Sequence, residues 1–452
     1  MLNIQRINNS NYIFNRNNTK VNETPSKNNA LCSVPMKSVD SANLMAYHPS
    51  FTSNNTIETQ PSEKKQLETV LSKLDKQTKE VVHRLDQRGI LANTDSNDGS
   101  SVLNNLYKIA TEPRIRGLSD KQILTEVINA LDNPTSITQK FGDIPNEIAN
   151  EISQETQSPF PEQAKNVISS SCVVASMEFN LASKKPAEFV RFAQGLSGKD
   201  YSVDKNIKMS AISNGTLSSL WHLREFNTEY KISNNWDDVQ IKIKPDRNAI
   251  VRARVQSSYK DPNERSCVDV LIQSALLNLG SQHTYDAITD ERTGKFNSDK
   301  SGLTDFEKNF VEEVVFEQPK ISVVYQNLDE NGILTGYNCE LSEMKQHILK
   351  SLELGENVIV GYTHLDENKQ VNGGHEITIT GYKQDNQGKG YFICNDTDDN
   401  KDNLIQISEE KLLPVIHHAG ISKAALSEND VVIEAWREIV DEFQKMLKEE
   451  QK

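Results

Sequence analysis

Three apolar runs crowd into the last third of the chain: ENVIVGY from Glu356, HEITITGY from His375 and GYFICND from Gly390. The second alternates apolar and polar residues with the period of a strand that buries one face. Only a few polar residues join it to the third. A parallel crossover needs a dozen or more residues, so these runs predict neighbouring antiparallel strands. A histidine stands at the mouth of the second strand, and Asn395 and Asp396 close the third. Such a pair is either the rim of an ordinary hairpin or two parts of a catalytic group whose nucleophile lies elsewhere.

The rest of the chain is read around that sheet. Ten of the first thirty residues are Asn, and Ser, Thr and Asn dominate as far as Ser62. The stretch 1–62 has too little to bury and is expected to be a disordered tail. From Glu63 the apolar spacing turns helical: Leu67, Val70, Leu71, Leu74, Val81, Val82 and Leu85 share one stripe that ends at Gly89. SVLNNLYKIA predicts a second helix, and Ser119 with Gln122 predicts a capping box opening a third. A helical module over 63–156 follows, closed by the Pro-rich linker QSPFPEQ.

Beyond the linker the pattern mixes. CVVASMEFNLA, CVDVLIQSALLNLG and LSEMKQHILKSLELG read as helices, the last stopped by Gly355. DVQIKIK and NAIVRARVQ alternate like strands, and KISVVYQNLDENGILTGYNC reads as a hairpin turning at Asn331 and Gly332. SEEKLLPVIHHAG is expected to be helical. Residues 426–452 form one amphipathic helix by spacing, with Val432, Trp436, Ile439, Val440 and Phe443 on its stripe.

Composition narrows the functional classes. The net charge of -14 comes without a basic block, which argues against nucleic acid or an anionic membrane as the partner. A hydrophobic share of 36% and a mean hydropathy of -0.60 fit a chain with some unfolded length. No apolar run reaches membrane-spanning length, and the N-terminus lacks the apolar stretch of a secretory signal. The expected location is the cytoplasm, or outside the cell by a route that needs no such signal. The cysteines, Cys32, Cys172, Cys267, Cys339 and Cys394, are five in number and show no CxxC or CxxH spacing. That opposes both a disulfide framework and a zinc site.

Cys172 is the first nucleophile candidate. It follows SSS, which offers capping hydroxyls, and precedes an unbroken apolar run, so it should sit at a helix N-terminus where a thiolate is stabilised. His375 is then the base, and it needs an acceptor to orient it; Asp396 and Asn395 are the two candidates.

On these residues the chain resembles the papain-like cysteine peptidases. SCVVAS is similar to that family's nucleophile helix at Ser171, Cys172 and Ser176, and HEITITGY is similar in spacing to its histidine strand. YFICND sets Asp396 where the family has its orienting residue. The related C39-like peptidases carry Asp there, which ranks Asp396 before Asn395. The order Cys, His, Asp is also the family's. The resemblance implies an α+β papain-like fold: a central nucleophile helix against an antiparallel sheet, with a catalytic domain over 157–425 carrying insertions. It implies thiol-dependent hydrolysis of peptide or isopeptide bonds on a protein or peptide substrate, with no cofactor and no metal. It also implies that the helical module inhibits or positions substrates, as propeptides do.

The sequence departs from the family in several places. The family's oxyanion Gln lies six residues before the nucleophile, where this chain has Asn166; Gln163 is nine before. Trp follows neither Cys172 nor Asp396, and Cys172 and His375 are 203 residues apart. Two other readings fit the same residues. One is acyl transfer or deamidation of the transglutaminase kind, and the other is a binding protein that keeps the fold without the chemistry.

Rivals are present within the chain. Cys267 also heads an apolar helix, but Asp269 beside it opposes a thiolate. His364 lies at a strand exit. Asp398, Asn400, Asp402 and Glu409 have the spacing of a calcium loop, yet Asn403 stands where that loop needs Gly, so an acidic turn is expected there.

Overall fold

Among the described residues, helices dominate before residue 320 and an antiparallel sheet dominates after it, so the fold is α+β. The computed structural model describes residues 61–140, 146–157, 169–218, 239–258, 264–281, 283–292, 302–329, 331–398, 403–427, 432 and 434. The expected N-terminal tail up to residue 60, the linker from 158 and nearly all of the expected C-terminal helix lie outside these residues.

The stripe that predicted one helix after Glu63 is two helices, α1 (Pro61–Lys73) and α2 (Lys76–Gln87). Asp75 separates them because its carboxylate accepts from the Thr78 amide at 2.9 Å, which caps a new helix. Gly89 takes the left-handed conformation (φ 71°) that ends the pair. Then follow α3 (Val102–Thr111), α4 (Asp120–Asp132) and α5 (Asn146–Thr156). Ser119 stands at the N-cap of α4 but makes no capping bond; Gln122 binds Glu126 at 2.8 Å instead, so the expected capping box does not form.

The central helices are α6 (Cys172–Lys184), α7 (Pro186–Ser197), α8 (Arg247–Ser258), α9 (Cys267–Gly280), α10 (Asp305–Phe316) and α11 (Leu341–Glu353). NAIVRARVQ, expected as a strand, is part of α8. Ala249, Val251, Arg252, Ala253, Val255 and Gln256 are all buried, so its alternation reflects a helix covered on several sides. A small ribbon pairs β1 (Val203–Asn206) with β2 (Gln240–Ile243). The expected hairpin begins in β3 (Lys320–Val324) and turns between β4 (Gln326–Leu328) and β5 (Leu334–Tyr337).

The main sheet adds β6 (Val358–Leu365), β7 (Val371–Gln384), β8 (Gly390–Asn395), β9 (Ile405–Ser408) and β10 (Ile416–Ser422). Its order is β9-β8-β7-β6-β10-β3, and every pair is antiparallel. β10 is a second correction, since SEEKLLPVIHHAG was expected to be helical. Only Glu409–Leu412 is α-helical; Pro414 has no amide hydrogen to continue it, and the chain leaves as a strand.

Among the described residues, the buried apolar side chains gather in two cores. One gathers Val70, Val82, Leu106, Ile128, Val174, Phe189, Leu276 and Phe310, that is, residues of α1–α4, α6, α7, α9 and α10 together. The segment 63–156 therefore shares its core with α6, and the cores do not part at residue 157. The second lies between α11 and the sheet, with Met344 and Ile348 against Val360, Ile377, Ile379 and Phe392. Alternation along β6 sends Val358 and Val360 into the second core and Ile359 into the first. Val432 packs on the second core, and Glu434 makes an isolated antiparallel bridge to Val323 of β3 where a helix was expected.

Candidate active site

Cys172 is the first residue of α6 and is half-buried with a free thiol. The ten residues after it, Val173 to Ala182, are buried, which holds the helix rigidly against the core. The Ser hydroxyls expected to cap the helix do other work. Ser171 donates to Gln273 at 2.9 Å, and the Ser169 hydroxyl donates to Asp290 at 2.8 Å while accepting from the Ser171 amide at 3.2 Å. No side chain makes a capping bond to the first turn of α6, and Cys172 occupies its positive end.

His375 lies on β7, four residues past the strand's start at Val371, and pairs across the sheet with Tyr362. The Tyr362 ring meets it edge-on at 5.7 Å between centroids. The Nε2 atom of His375 is 2.7 Å from Asp396 Oδ1, and the Cys172 side chain lies near enough to the ring to act on its charge. With Nε2 held by the carboxylate, Nδ1 is the nitrogen left for the thiol. Burial works against a charge on His375. The bonds and charges of Asp396 and Cys172 outweigh it and hold the imidazole well above its usual range. Asp396 is likewise opposed by burial, yet His375 and the Asp398 amide at 3.0 Å keep its carboxyl below the usual value.

The structure thus brings Cys172, His375 and Asp396 together. Asn395, the alternative orienting residue, is a strand residue opposite Thr378; it is 1% exposed and makes no bond to His375. Strand alternation turns it away from Asp396. Asn166 and Gln163 lie outside the described residues.

Each rival has a different placement. Cys267 does head α9, but it is 1% exposed and its Sγ lies 2.9 Å from Glu126 Oε2. Burial and that carboxylate push its thiol far up, the wrong direction for a nucleophile. His364 lies on β6, and its partial burial together with the charge of His375 lowers its imidazole. Glu409, the last position of the calcium-like spacing, binds Lys345 at 2.6 Å and accepts from Tyr382 at 3.0 Å.

Several functional neighbours carry no sequence signal. Asp290 accepts from the Ser169 hydroxyl, from the Ser170 amide at 2.7 Å and from Tyr285 at 2.9 Å, anchoring the approach to α6. Gln139 reaches both Ser169 and Thr397. On the other side of β7, Glu376 meets Lys308 at 3.1 Å and His418 at 3.2 Å, and His418 also meets Asp305 at 3.2 Å. Asp305, His417 and His418 are close enough to share a metal ion, but the buried Lys308 ammonium already supplies a cation to this group.

Comparison with protein-family profiles and with curated proteins gives no match. The reading of the site therefore rests on its geometry.

Proposed function

We propose that this chain is a papain-like cysteine peptidase that hydrolyses peptide or isopeptide bonds. One observation carries the reading: a single imidazole is hydrogen-bonded to a half-buried carboxylate and lies beside a thiol at a helix N-terminus. An antiparallel sheet carrying the histidine and the acid, opposite a helix carrying the cysteine, also supports the papain-like fold.

In the proposed reaction His375 and Cys172 form an imidazolium–thiolate pair. The sulfur attacks the substrate carbonyl carbon, and the carbonyl π electrons move to oxygen. The oxyanion is met by backbone N–H groups at the start of α6, and by Asn166 or Gln163 if one of them completes the hole. The C–N bond then breaks, His375 gives its proton to the leaving amine, and an acyl-enzyme remains. His375 next takes a proton from water, whose oxygen attacks the thioester and releases the acid and Cys172. Asp396 keeps the imidazole oriented throughout and stabilises its charged form.

The test is labelling with iodoacetamide followed by peptide-resolved mass spectrometry, combined with release of free amine from a peptide library. Fast labelling at Cys172, with hydrolysis abolished in Cys172→Ala, is the expected result. Fast labelling at Cys267 refutes the assignment of the nucleophile. Incorporation of an added amine in place of hydrolysis moves the activity to acyl transfer, and absence of both reactions leaves the binding-protein reading.

A further inference from the structure

Residues Thr138–Lys140 form a short strap between α4 and α5 of the helical module, and Gln139 at its centre is 2% exposed. All of its polar groups are bonded, and they reach only two residues. Its backbone amide donates to Thr397 O at 3.1 Å, and its carbonyl accepts from the Ser169 amide at 3.3 Å. Its side-chain Nε2 donates to Ser169 O at 3.3 Å, and its Oε1 accepts from the Thr397 hydroxyl at 2.9 Å. Ser169 stands three residues before Cys172, and Thr397 follows Asp396 directly. Gln139 therefore ties the chain entering the nucleophile helix to the chain leaving the acid strand.

The neighbours on the strap reinforce the tie. The Thr138 hydroxyl donates to Thr397 O at 2.9 Å, and Thr138 O accepts from Gln273, the residue that also holds Ser171. Lys140 O accepts from the Arg265 amide at 2.8 Å. A buried amide committed on four sides is costly to rearrange, because each bond lost leaves a desolvated group unpaired.

We infer that Gln139 is a positioning residue that sets the separation between Cys172 and the His375–Asp396 pair, which makes the helical module part of the working site and not a removable inhibitor. This rests on the proposed cysteine peptidase activity. A thiolate and its imidazole must meet at hydrogen-bond distance, and displacement by an ångström costs orders of magnitude in rate.

The test compares wild type with Gln139→Met, which keeps length and packing but removes the two side-chain bonds. Alkylation of Cys172 by iodoacetamide is followed from pH 5 to pH 9. Slowing of about tenfold at pH 6, with rates converging at pH 9 and an unchanged circular dichroism spectrum, is expected. A lower melting temperature with an unchanged pH profile makes Gln139 merely structural and overturns the inference. If Gln139→Met does not fold, Thr397→Val and Thr397→Ser decide: the first should slow the pH 6 reaction and the second restore it. Equal rates for those two variants again overturn it. A wild type whose Cys172 reacts as an ordinary thiol overturns the proposed activity itself, and this inference with it.

Discussion

Replacing Asp396 by Asn removes a charge from the site while keeping shape and an acceptor oxygen. The contact it alters is the 2.7 Å bond to His375 Nε2, between side chains that are 11% and 18% exposed. At that separation two unit charges attract by about 1.5 kcal/mol in water and about 6 kcal/mol at an effective dielectric of 20. A hydrogen bond to a charged group contributes a net of about 1.5–3 kcal/mol, at the lower end of that bracket. Each 1.36 kcal/mol is about a factor of ten, so the ratio of charged to neutral His375 at a given pH should fall roughly tenfold to a hundredfold. The assay is the rate of Cys172 alkylation and of peptide hydrolysis at pH 6; both should drop, with that factor as the upper bound. Stability should follow the same pair. The raised His375 contributes fully below its usual value near 6.5 and loses that contribution as pH rises through its folded value. The lowered Asp396 contributes above 3.8 and loses it as pH falls. The melting-temperature gap between wild type and Asp396→Asn should therefore be widest at about pH 5–6 and narrow on both sides. Unchanged alkylation at pH 6 would refute the argument that the carboxylate sustains the imidazolium.

Two further outcomes follow from buried groups away from the triad. Cys267→Ser keeps a donor for Glu126 in place of the Sγ contact at 2.9 Å, so peptide hydrolysis and Cys172 labelling should be unaffected; loss of hydrolysis in this variant would return Cys267 to the site. Glu313 is raised to about 7 from 4.5, mainly by burial, while its Oε1 accepts from the Ser213 and Lys320 amides at 3.0 and 3.1 Å. A raised carboxyl costs the native state stability as pH climbs from 4.5 to 7, here on the order of 3 kcal/mol. Glu313→Gln keeps an acceptor for both amides, so it should match wild type at pH 4 and melt higher at pH 8; equal melting at both pH values would disprove the assignment.

The three site residues were legible because each sits where secondary structure leaves a mark. Cys172 precedes an apolar run long enough to be a helix, and His375 and Asp396 bracket two strands joined by a short turn. The C39-like resemblance ranked Asp396 before Asn395, and in the structure it is Asp396 that bonds His375. Gln139 and Asp290 had no such mark. The strap bonds of Gln139 reach 30 and 258 residues along the chain, and Asp290 works from a left-handed backbone (φ 57°) that no periodicity reports. The misread segments failed for related reasons. α8 is buried on several sides and so lost its amphipathic stripe, and the helical composition before β10 was overridden by Pro414 and by an open place in the sheet between β6 and β3.

The unread residues are those that join the two cores. Gln139 makes one joint, between the approach to α6 and the end of β8. The second runs beneath His375 itself. Its neighbour Glu376 turns to the other side of β7, where burial opposes its charge but Lys308 of α10 and His418 of β10 hold it down at about 2. Gly361, opposite Glu376 on β6, makes room for this group: a Cβ there would lie 2.2 Å from the His418 ring. Removing one partner from such a buried pair strands the other charge at a cost of about 3–5 kcal/mol, so the joint resists sliding. A strand pinned to α10 through Glu376 presents His375 to Cys172 from a fixed backbone. The helical core supplies the cysteine and the sheet supplies its partners, and two sets of buried polar contacts hold them in register.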